Sequence, residues 1–218
     1  MALRRVLPLV FFVAFGALGA APQTRDPLED LFARGRALQA TLRSVSASFT
    51  ETTTSSLLRD PLVARGTIVA AMPMKMLMTY SSPEVRYILV DQTRLVTVVP
   101  ARRQRAEINI ADMQRRIQKY FVDASPKDLR QSFDITLAPD PSLPETDLMD
   151  MKPRRSQIKE GLARLRLWLD RSRLVMVRMR MDYADGDSRT MELDDVRINV
   201  PIDDRTFVIP SGRSGDRR

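Results

Sequence analysis

The chain has 218 residues, enough for one domain of ordinary size, and its 35 Lys and Arg against 27 Asp and Glu give a formal net charge of +8. The absence of cysteine and histidine excludes disulfides, Cys/His zinc sites, thiolate nucleophiles and histidine-based catalytic triads. The sequence also has no glycine-rich phosphate-binding motif and no nucleophile elbow, so we expect neither an enzyme nor a bound cofactor or metal.

The N-terminus has the pattern of a secretory signal peptide. Two arginines precede an apolar run, and small residues follow it up to Ala21, where cleavage is favoured. A membrane anchor is the alternative, but the apolar run is short for a membrane span. We therefore expect a signal peptide at residues 1–21, one domain at residues 22–210, and a disordered basic tail at residues 211–218 of an exported protein.

A helix and then a strand are predicted to follow. Asp26 can cap a helix over residues 25–45, and Pro27 suits its first turn, where a missing backbone N–H leaves no partner unsatisfied. Apolar residues recur there at helical spacing. The period then changes to two, which predicts a half-exposed strand over residues 46–56 with Phe49 directed inward.

Methionines dominate the next segment. In the stretch MPMKMLMTY, residues 72–80, a methionine stands at every second position up to Met78, and Tyr80 continues the row. This alternation predicts a long strand that runs on from the preceding apolar residues with a bulge or bend at Pro73, or an edge strand. Residues 85–100 predict a hairpin with its turn near residues 91–93.

Two helices are predicted in the middle of the chain. Residues 110–122 place apolar side chains on one side of a helix, and residues 125–132 combine a serine cap, a first-turn proline and an early aspartate in a short helix. Residues 133–139 alternate as a strand does. The proline-rich, charged segment at residues 139–155 predicts a mobile loop.

The last third of the chain is predicted to consist of strands. In LARLRLWLDRS, Leu165 and Leu167 share one face while arginines and a tryptophan take the other. In LVMVRMRMDY, the same alternation puts Val177, Met179 and Met181 together, opposite two arginines. A hairpin turn at ADGD follows, and the segments ending in RTFVIP are expected to complete the sheet.

These elements predict a mainly β fold with a few helices (α+β), built on one long antiparallel sheet. One face of the sheet is apolar, and the other carries Arg, Lys and Thr. A sheet of this length tends to curl, with the apolar face inside the curl. The N-terminal helix and the two helices at residues 110–132 are the elements available to cover that face.

The methionine row has two interpretations. Period-two apolar residues are usually ordinary core. Strand cores, however, favour β-branched and aromatic residues, whereas methionine is unbranched, adaptable and frequent at promiscuous binding surfaces. With Met179 and Met181 on a facing strand, six methionines would line one side of the sheet. The row therefore favours a receptacle for a flexible apolar ligand such as a lipid chain.

Two basic segments lie at residues 101–105 and 114–119. Their ordinary interpretation is a solvated surface, and the alternative is contact with anionic headgroups or an acidic partner. Aromatic residues do not alternate with these arginines, so we expect no nucleic-acid partner.

The order of segments along the chain resembles that of the LolA-type periplasmic outer-membrane lipoprotein carriers. The matching segments are SVSASFTET, GTIVAAMPMKMLMTYSSPE, LVDQTRLVTVVP, SFDITLAP, LRLWLDR, DYADGD and VRINVPIDDRTFVIP. Further marks are the spacing of Pro73 and Pro83 and a closing pattern N-x-x-I-x-x-x-x-F-x-x-P. That pattern is formed by Asn199, Ile202, Phe207 and Pro210.

The resemblance implies a half-open barrel whose concave apolar face binds acyl chains beneath lid helices. The residues expected to line the acyl-chain cavity are Phe49, Ile68, Met72, Met74, Met76, Met78, Tyr80, Leu165, Leu167, Val177, Met179 and Met181. The residues expected on the lid are Ile110, Met113, Ile117 and Phe121. The implied setting is a periplasmic monomer that receives lipoproteins from an inner-membrane lipoprotein-releasing ABC transporter and delivers them to an outer-membrane receptor.

The sequence departs from the family at the residue just before Pro73. The family has an arginine there that holds the lid, whereas this chain has Met72, which cannot donate those hydrogen bonds. The implied function is carriage of lipoproteins from the inner to the outer membrane. The alternatives are carriage of another lipid or glycolipid on the same fold and, last, a lipoprotein sensor of the RseB type, whose second domain this chain has no room for.

Overall fold

The computed structural model of the protein describes residues 26–72, 75–117 and 125–210, without the side chains of Arg116 and Ile117. The predicted signal peptide, the predicted basic tail, Met74 and Phe121 lie outside this part of the chain.

The described strands form one antiparallel sheet. They are β1 (Ser44–Thr54), β2 (Leu62–Ala71), β3 (Lys75–Ser82), β4 (Arg86–Asp91), β5 (Arg94–Val99), β6 (Gln104–Asn109), β7 (Phe133–Pro139), β8 (Thr146–Pro153), β9 (Leu162–Asp170), β10 (Met176–Tyr183) and β11 (Ser188–Ile198). The helices are α1 (Pro27–Thr41), α2 (Ala111–Ile117), α3 (Pro126–Ser132) and α4 (Ser156–Lys159), and short 3-10 turns lie at Pro100–Arg102 and Asp204–Phe207. No helix among the described residues is long and apolar enough to cross a membrane.

The order of the strands explains how the sheet is assembled. It is β6-β5-β4-β3-β2-β1-β11-β10-β9-β8-β7, so the sheet consists of two meanders joined at its centre by the pairing of β1 with β11. The edge strands β6 and β7 do not pair with each other, and the sheet is not closed. The prediction of a mainly β, half-open barrel with a few helices is confirmed.

Helix α1 begins where the sequence predicts. The Asp26 carboxylate accepts a hydrogen bond from the Leu28 backbone N–H at 3.0 Å, and Pro27 occupies the first turn. The helix ends at Thr41, earlier than predicted, because Ser44 already pairs with Ala71 in β2. The predicted short helix α3 is also confirmed, with a capping box between its serine cap and Asp128.

Helix α1 covers one end of the sheet. Leu28 and Leu31 are buried and pack with α3 and strands β7–β9 in the largest apolar cluster. The cluster consists of Leu28, Leu31, Leu129, Phe133, Met149, Met151, Leu165 and partly buried neighbours. A second cluster around Phe49 and Met78 joins β1–β3 and β11.

Two predicted elements differ in the structure. The proline-rich segment predicted as a loop contains strand β8, and its Met151 is only 1% exposed. Its prolines lie before the strand or at its last residue, Pro153, where they do not interrupt the ladder. The segment RTFVIP does not extend the sheet, because residues 204–207 form a 3-10 turn instead.

The methionine row is not one bent strand. Strands β2 and β3 are neighbours in an antiparallel hairpin in which Ala71 lies opposite Lys75. Met72 therefore lies in the turn and is 46% exposed.

Candidate functional site

The pairing register decides which side chains share a face of the sheet, because residues directly opposite each other in a ladder point to the same side. One row across the first meander runs through Ala47, Ile68, Met78 and Ile88. One row across the second runs through Met191, Met179, Leu167 and Met149. Phe49 on β1 and Leu193 on β11 connect the two, and we call this continuous side the apolar face.

Methionines recur along the whole apolar face. In the described part of the chain, the register places Met76, Met78, Met149, Met151, Met179, Met181 and Met191 on it. The sequence did not predict that Met149, Met151 and Met191 lie on this face. The period-two signal of Met149 and Met151 was present but stood beside prolines that favoured a loop, and a lone methionine in β11 carries no pattern of its own.

Most of the predicted cavity residues lie on this face. The register puts Phe49, Ile68, Met76, Met78, Tyr80, Leu165, Leu167, Met179 and Met181 there, and Val177 packs beside Ala47. Met72 is separated from them in the β2–β3 turn, and Met74 lies outside the described residues. The sharing of a face is structural, whereas the role of these residues in holding a ligand stays a prediction.

The cover over the apolar face differs between its two ends. At the β7–β9 end, α1 and α3 are tied together by a two-pronged ion pair between Arg130 and Asp26, with N–O distances of 2.5 and 2.8 Å. This pair, with the Leu28 N–H, holds the pKa of the Asp26 carboxyl below its usual value. A cavity of about 260 Å³ nevertheless opens between α1 and the start of α3, beside Phe32 and Pro126.

The predicted lid is only partly described. The connection between β6 and β7 joins the two opposite edges of the sheet, and α2 and α3 lie in it. Ile110 is buried directly before α2 and donates its backbone N–H to the Thr93 carbonyl at 2.7 Å. Met113 is 47% exposed, and the side chains of Ile117 and Phe121 lie outside the description.

A polar group lies on the apolar face beside Phe49. Glu51 is only 7% exposed and accepts a hydrogen bond from the Tyr80 hydroxyl at 3.1 Å. The Arg86 guanidinium stacks over the Tyr80 ring at 3.9 Å. Burial raises the pKa of the Tyr80 phenol, and the Glu51 carboxylate adds to the rise although Arg86 opposes it. The hydroxyl therefore keeps its proton and remains the donor.

On the opposite face of the sheet, ion pairs link the strands of the second meander, whereas Leu77, Val96 and Val98 are buried on that face in the first meander. Arg164 with Asp150, Arg166 with Asp182, and Arg178 with Glu192 join neighbouring strands. Trp168 lies among them with the Arg178 guanidinium 5.4 Å from its ring, and its indole N–H donates to Asp140. These contacts give this part of the face a structural character, with Trp168 itself buried among them.

The turn between β1 and β2 exposes a group of large apolar side chains. Leu57 is 92% exposed, and Leu58, Leu62 and Val63 are also exposed around it. We call these four residues the hairpin tip. A cluster of this kind at a protruding turn is unusual for a surface that meets only water.

The sequence matches the family described as outer membrane lipoprotein carrier protein LolA over residues 40–210. A comparison with curated proteins gives no match.

Three solved structures are similar in fold. The Pseudomonas aeruginosa MucA/MucB complex contains a chain with a TM-score of 0.53 and 11% identity, and the match covers 85% of this chain and 62% of that one. The Mycobacterium tuberculosis lipoprotein LppX has a TM-score of 0.49 and 13% identity, with 81% and 97% covered. A DUF1329 family protein from Desulfovibrio piger has a TM-score of 0.46 and 13% identity, with 84% and 98% covered. At these identities the likeness concerns the fold alone.

Proposed function

The chain belongs to the LolA family of lipoprotein carriers, and on that premise we propose that it binds acyl chains on the apolar face and ferries acylated lipoproteins from the inner to the outer membrane. The observation that carries the proposal is the run of methionines across both meanders of the sheet. Flexible thioether side chains adapt to chains of variable length and path, and an acyl chain makes no hydrogen-bond demands. The proposal includes an exported protein whose signal peptide, residues 1–21, is removed to leave the domain at residues 22–210 in the periplasm.

Loading without a fuel of its own requires two states of similar free energy. Closing helices over the empty apolar face buries apolar surface at about 25 cal/mol per Å². An acyl chain that displaces them gains about 0.8 kcal/mol for each buried CH₂ group. Since both terms arise from the same effect, exchange between an empty closed state and a loaded open state can be nearly neutral and reversible.

Carriage of another lipid or glycolipid is the second candidate. It is favoured by Met72, which lies in an exposed turn at the position where the carriers that this sequence resembles have a cavity arginine. Extraction of the purified protein with organic solvent, followed by mass spectrometry, separates the two candidates. A triacylated peptide supports lipoprotein carriage, and a free lipid supports the alternative.

The proposed partners are a lipoprotein-releasing transporter at the inner membrane and a receptor at the outer membrane. A carrier must also approach the two bilayers, and the hairpin tip is the described surface best suited to touch one, because burial of its exposed leucines in the interface is favourable.

The decisive variant is Met76→Asp. Met76 lies on the apolar face between Ala70 and Val90, and a carboxylate there would make insertion of a hydrocarbon chain costly. We expect loss of fluorescent fatty-acid binding with retention of the far-UV circular dichroism spectrum. The matched control is Thr79→Asp on the same strand, which points to the opposite face and should bind normally. Unchanged binding by Met76→Asp would refute the proposed pocket.

A further inference from the structure

The polar group formed by Glu51, Tyr80 and Arg86 is unusual because it lies on the side of the sheet that is otherwise apolar. Tyr80 stands directly opposite Arg86 in the β3–β4 ladder, and Glu51 stands opposite Ala64 in the β1–β2 ladder. Their neighbours on the same face are Phe49, whose ring meets Tyr80 edge-on at 4.9 Å, and Met191. The group therefore terminates an apolar track that leads back along Ile68 and Met78.

One donor in this group has no partner within the described structure. The Nε atom of Arg86 is buried and makes no hydrogen bond. The Glu51 carboxylate accepts from the Tyr80 hydroxyl, and the guanidinium carbon of Arg86 lies 3.9 Å from the centre of the tyrosine ring. Buried donors in folded proteins are nearly always satisfied, so an unpaired one beside a binding surface indicates a hydrogen bond that a ligand supplies.

The charge of the group restricts the ligand. The Glu51 carboxylate contacts the Tyr80 hydroxyl and the Arg86 guanidinium lies over the Tyr80 ring, so the group holds one charge of each sign. An anionic head would gain from Arg86 and lose against Glu51. A neutral acceptor avoids that conflict and still satisfies the free N–H.

We propose that Arg86 Nε donates a hydrogen bond to the carbonyl oxygen of the ester or amide that links an acyl chain to its carrier molecule, an inference that rests on the function proposed above. The hydrocarbon lies along Phe49, Ile68 and Met78, and the carbonyl sits at the Arg86 end of this track. The site thus fixes the position of the carbonyl end of the acyl chain and the direction in which the hydrocarbon runs along the apolar face. Arg86 is a binding residue here and takes part in no chemical step.

Three single-chain probes test the site: methyl palmitate, its ether counterpart hexadecyl methyl ether, and palmitate. Displacement of a bound fluorescent fatty acid gives the affinity of each for the wild-type protein and for Arg86→Met, which keeps an unbranched side chain without a donor. We expect the wild type to bind the ester about tenfold more tightly than the ether, and no less tightly than palmitate. Arg86→Met should bind ester and ether alike, with its affinity for the ether unchanged.

Arg65→Met is the matched control, because it makes the same change at an exposed position on β2, directly opposite Thr50 and therefore on the other face of the sheet. It should retain the preference for the ester. The ratio of the affinities for ester and ether is measured on the wild-type protein, so the proposal can still be tested if Arg86→Met fails to fold. Equal binding of ester and ether by the wild type overturns the carbonyl site alone, and so does tighter binding of palmitate. Failure of the wild type to bind any of the probes overturns the proposed function itself.

Discussion

At the scale of single residues, Gly66 determines how closely the aromatic pair packs. A Cβ atom at this position would lie 2.1 Å from the Thr79 carbonyl oxygen and 2.8 Å from the Phe49 ring. Gly66 lies opposite Phe49 in one ladder and opposite Tyr80 in the next. Because glycine has no side chain, the two rings can meet over this position. The glycine is therefore required by close approach between neighbours.

Replacement of Gly66 by alanine should be costly. The Thr79 carbonyl belongs to the ladder and cannot move aside as a flexible side chain would, so we expect a loss of about 2 kcal/mol or more in the free energy of unfolding. Gly35→Ala is the matched control, since a Cβ on this residue of α1 meets nothing within 4 Å. It should raise stability by about 0.5–1 kcal/mol. Urea denaturation measures both, and equal effects of the two substitutions would contradict the packing argument.

Asp26 combines two tasks, the cap of α1 and the ion pair with Arg130. Its pKa is lowered chiefly by the hydrogen bonds from Arg130, so the folded state binds a proton more weakly than the unfolded chain does. The stabilisation from this group is complete above the ordinary pKa of aspartate and is lost as the pH falls through the lowered value. The anchorage of α1 should thus weaken in acid, below about pH 4.

Asp26→Asn isolates the ionic task, because asparagine caps a helix as well as aspartate does. The variant should melt at a lower temperature than the wild type at pH 7, and the difference should vanish in acid. Asp60→Asn, in the exposed β1–β2 turn, is the control and should melt like the wild type at pH 7. A difference between Asp26→Asn and the wild type that persists at acid pH would show that the amide disturbs the cap rather than the ion pair.

At the scale of elements, the β1–β2 hairpin allows ligand binding and delivery to a membrane to be tested separately. Leu57 and Leu58 of the hairpin tip lie beyond the last paired residues of this hairpin, Thr53 and Leu62, and therefore contribute nothing to the wall of the apolar face. The double variant Leu57→Ser/Leu58→Ser should bind a fluorescent fatty acid normally. We expect it to transfer that ligand severalfold more slowly to vesicles of phosphatidylethanolamine and phosphatidylglycerol, because the leucines no longer enter the interface.

Val208→Ser is the control for this experiment, since it removes an exposed apolar side chain elsewhere on the molecule. It should transfer at the wild-type rate. Equal transfer by the tip variant and the wild type would exclude the hairpin from membrane contact.

The elements differ in how far the sequence predicted them. The hairpin with its turn at residues 92–93 and the strand carrying Leu165 and Leu167 were predicted because alternation and turn residues agreed. Strand β6 was not predicted, because it is a short edge strand of mostly polar residues, held by pairing with β5 rather than by its own pattern. Strand β8 was assigned to a loop since the prolines beside it outweighed the alternation of Met149 and Met151.

The site was predictable in part for the same reason. Alternation assigns side chains to a face, and it correctly joined Met76 and Met78 with Met179 and Met181. It says nothing of which strands become neighbours, so the contact of Tyr80 with Glu51 could not be foreseen. The orphaned donor of Arg86 depends on burial, which only the assembled sheet decides.

At the scale of the whole molecule, the helices that cover the two ends of the apolar face are held in place by different numbers of buried contacts. Over β7–β9, the cover is α1, held by buried Leu28 and Leu31 and by the pair of Asp26 with Arg130. Along the connection between the sheet edges, none of the described side chains of α2 is buried and Met113 is 47% exposed, while Ile110 is buried directly before the helix. Segments with few buried apolar contacts open at lower free-energy cost. A ligand should therefore displace α2 and leave α1 in place.

Spin labels can test this asymmetry cleanly because the chain has no native cysteine. One pair of introduced cysteines joins α1 to the central strand, Ala37→Cys with Thr54→Cys, and a second joins α2 to the same strand, Arg115→Cys with Thr54→Cys; all three positions are exposed. Pulsed electron double resonance should give an unchanged distance for the first pair when fatty acid binds and a distance altered by several ångströms for the second. Movement of α1 instead would mean that the closed end of the face is the one that opens, and the burial of Leu28 and Leu31 would then represent the empty carrier only.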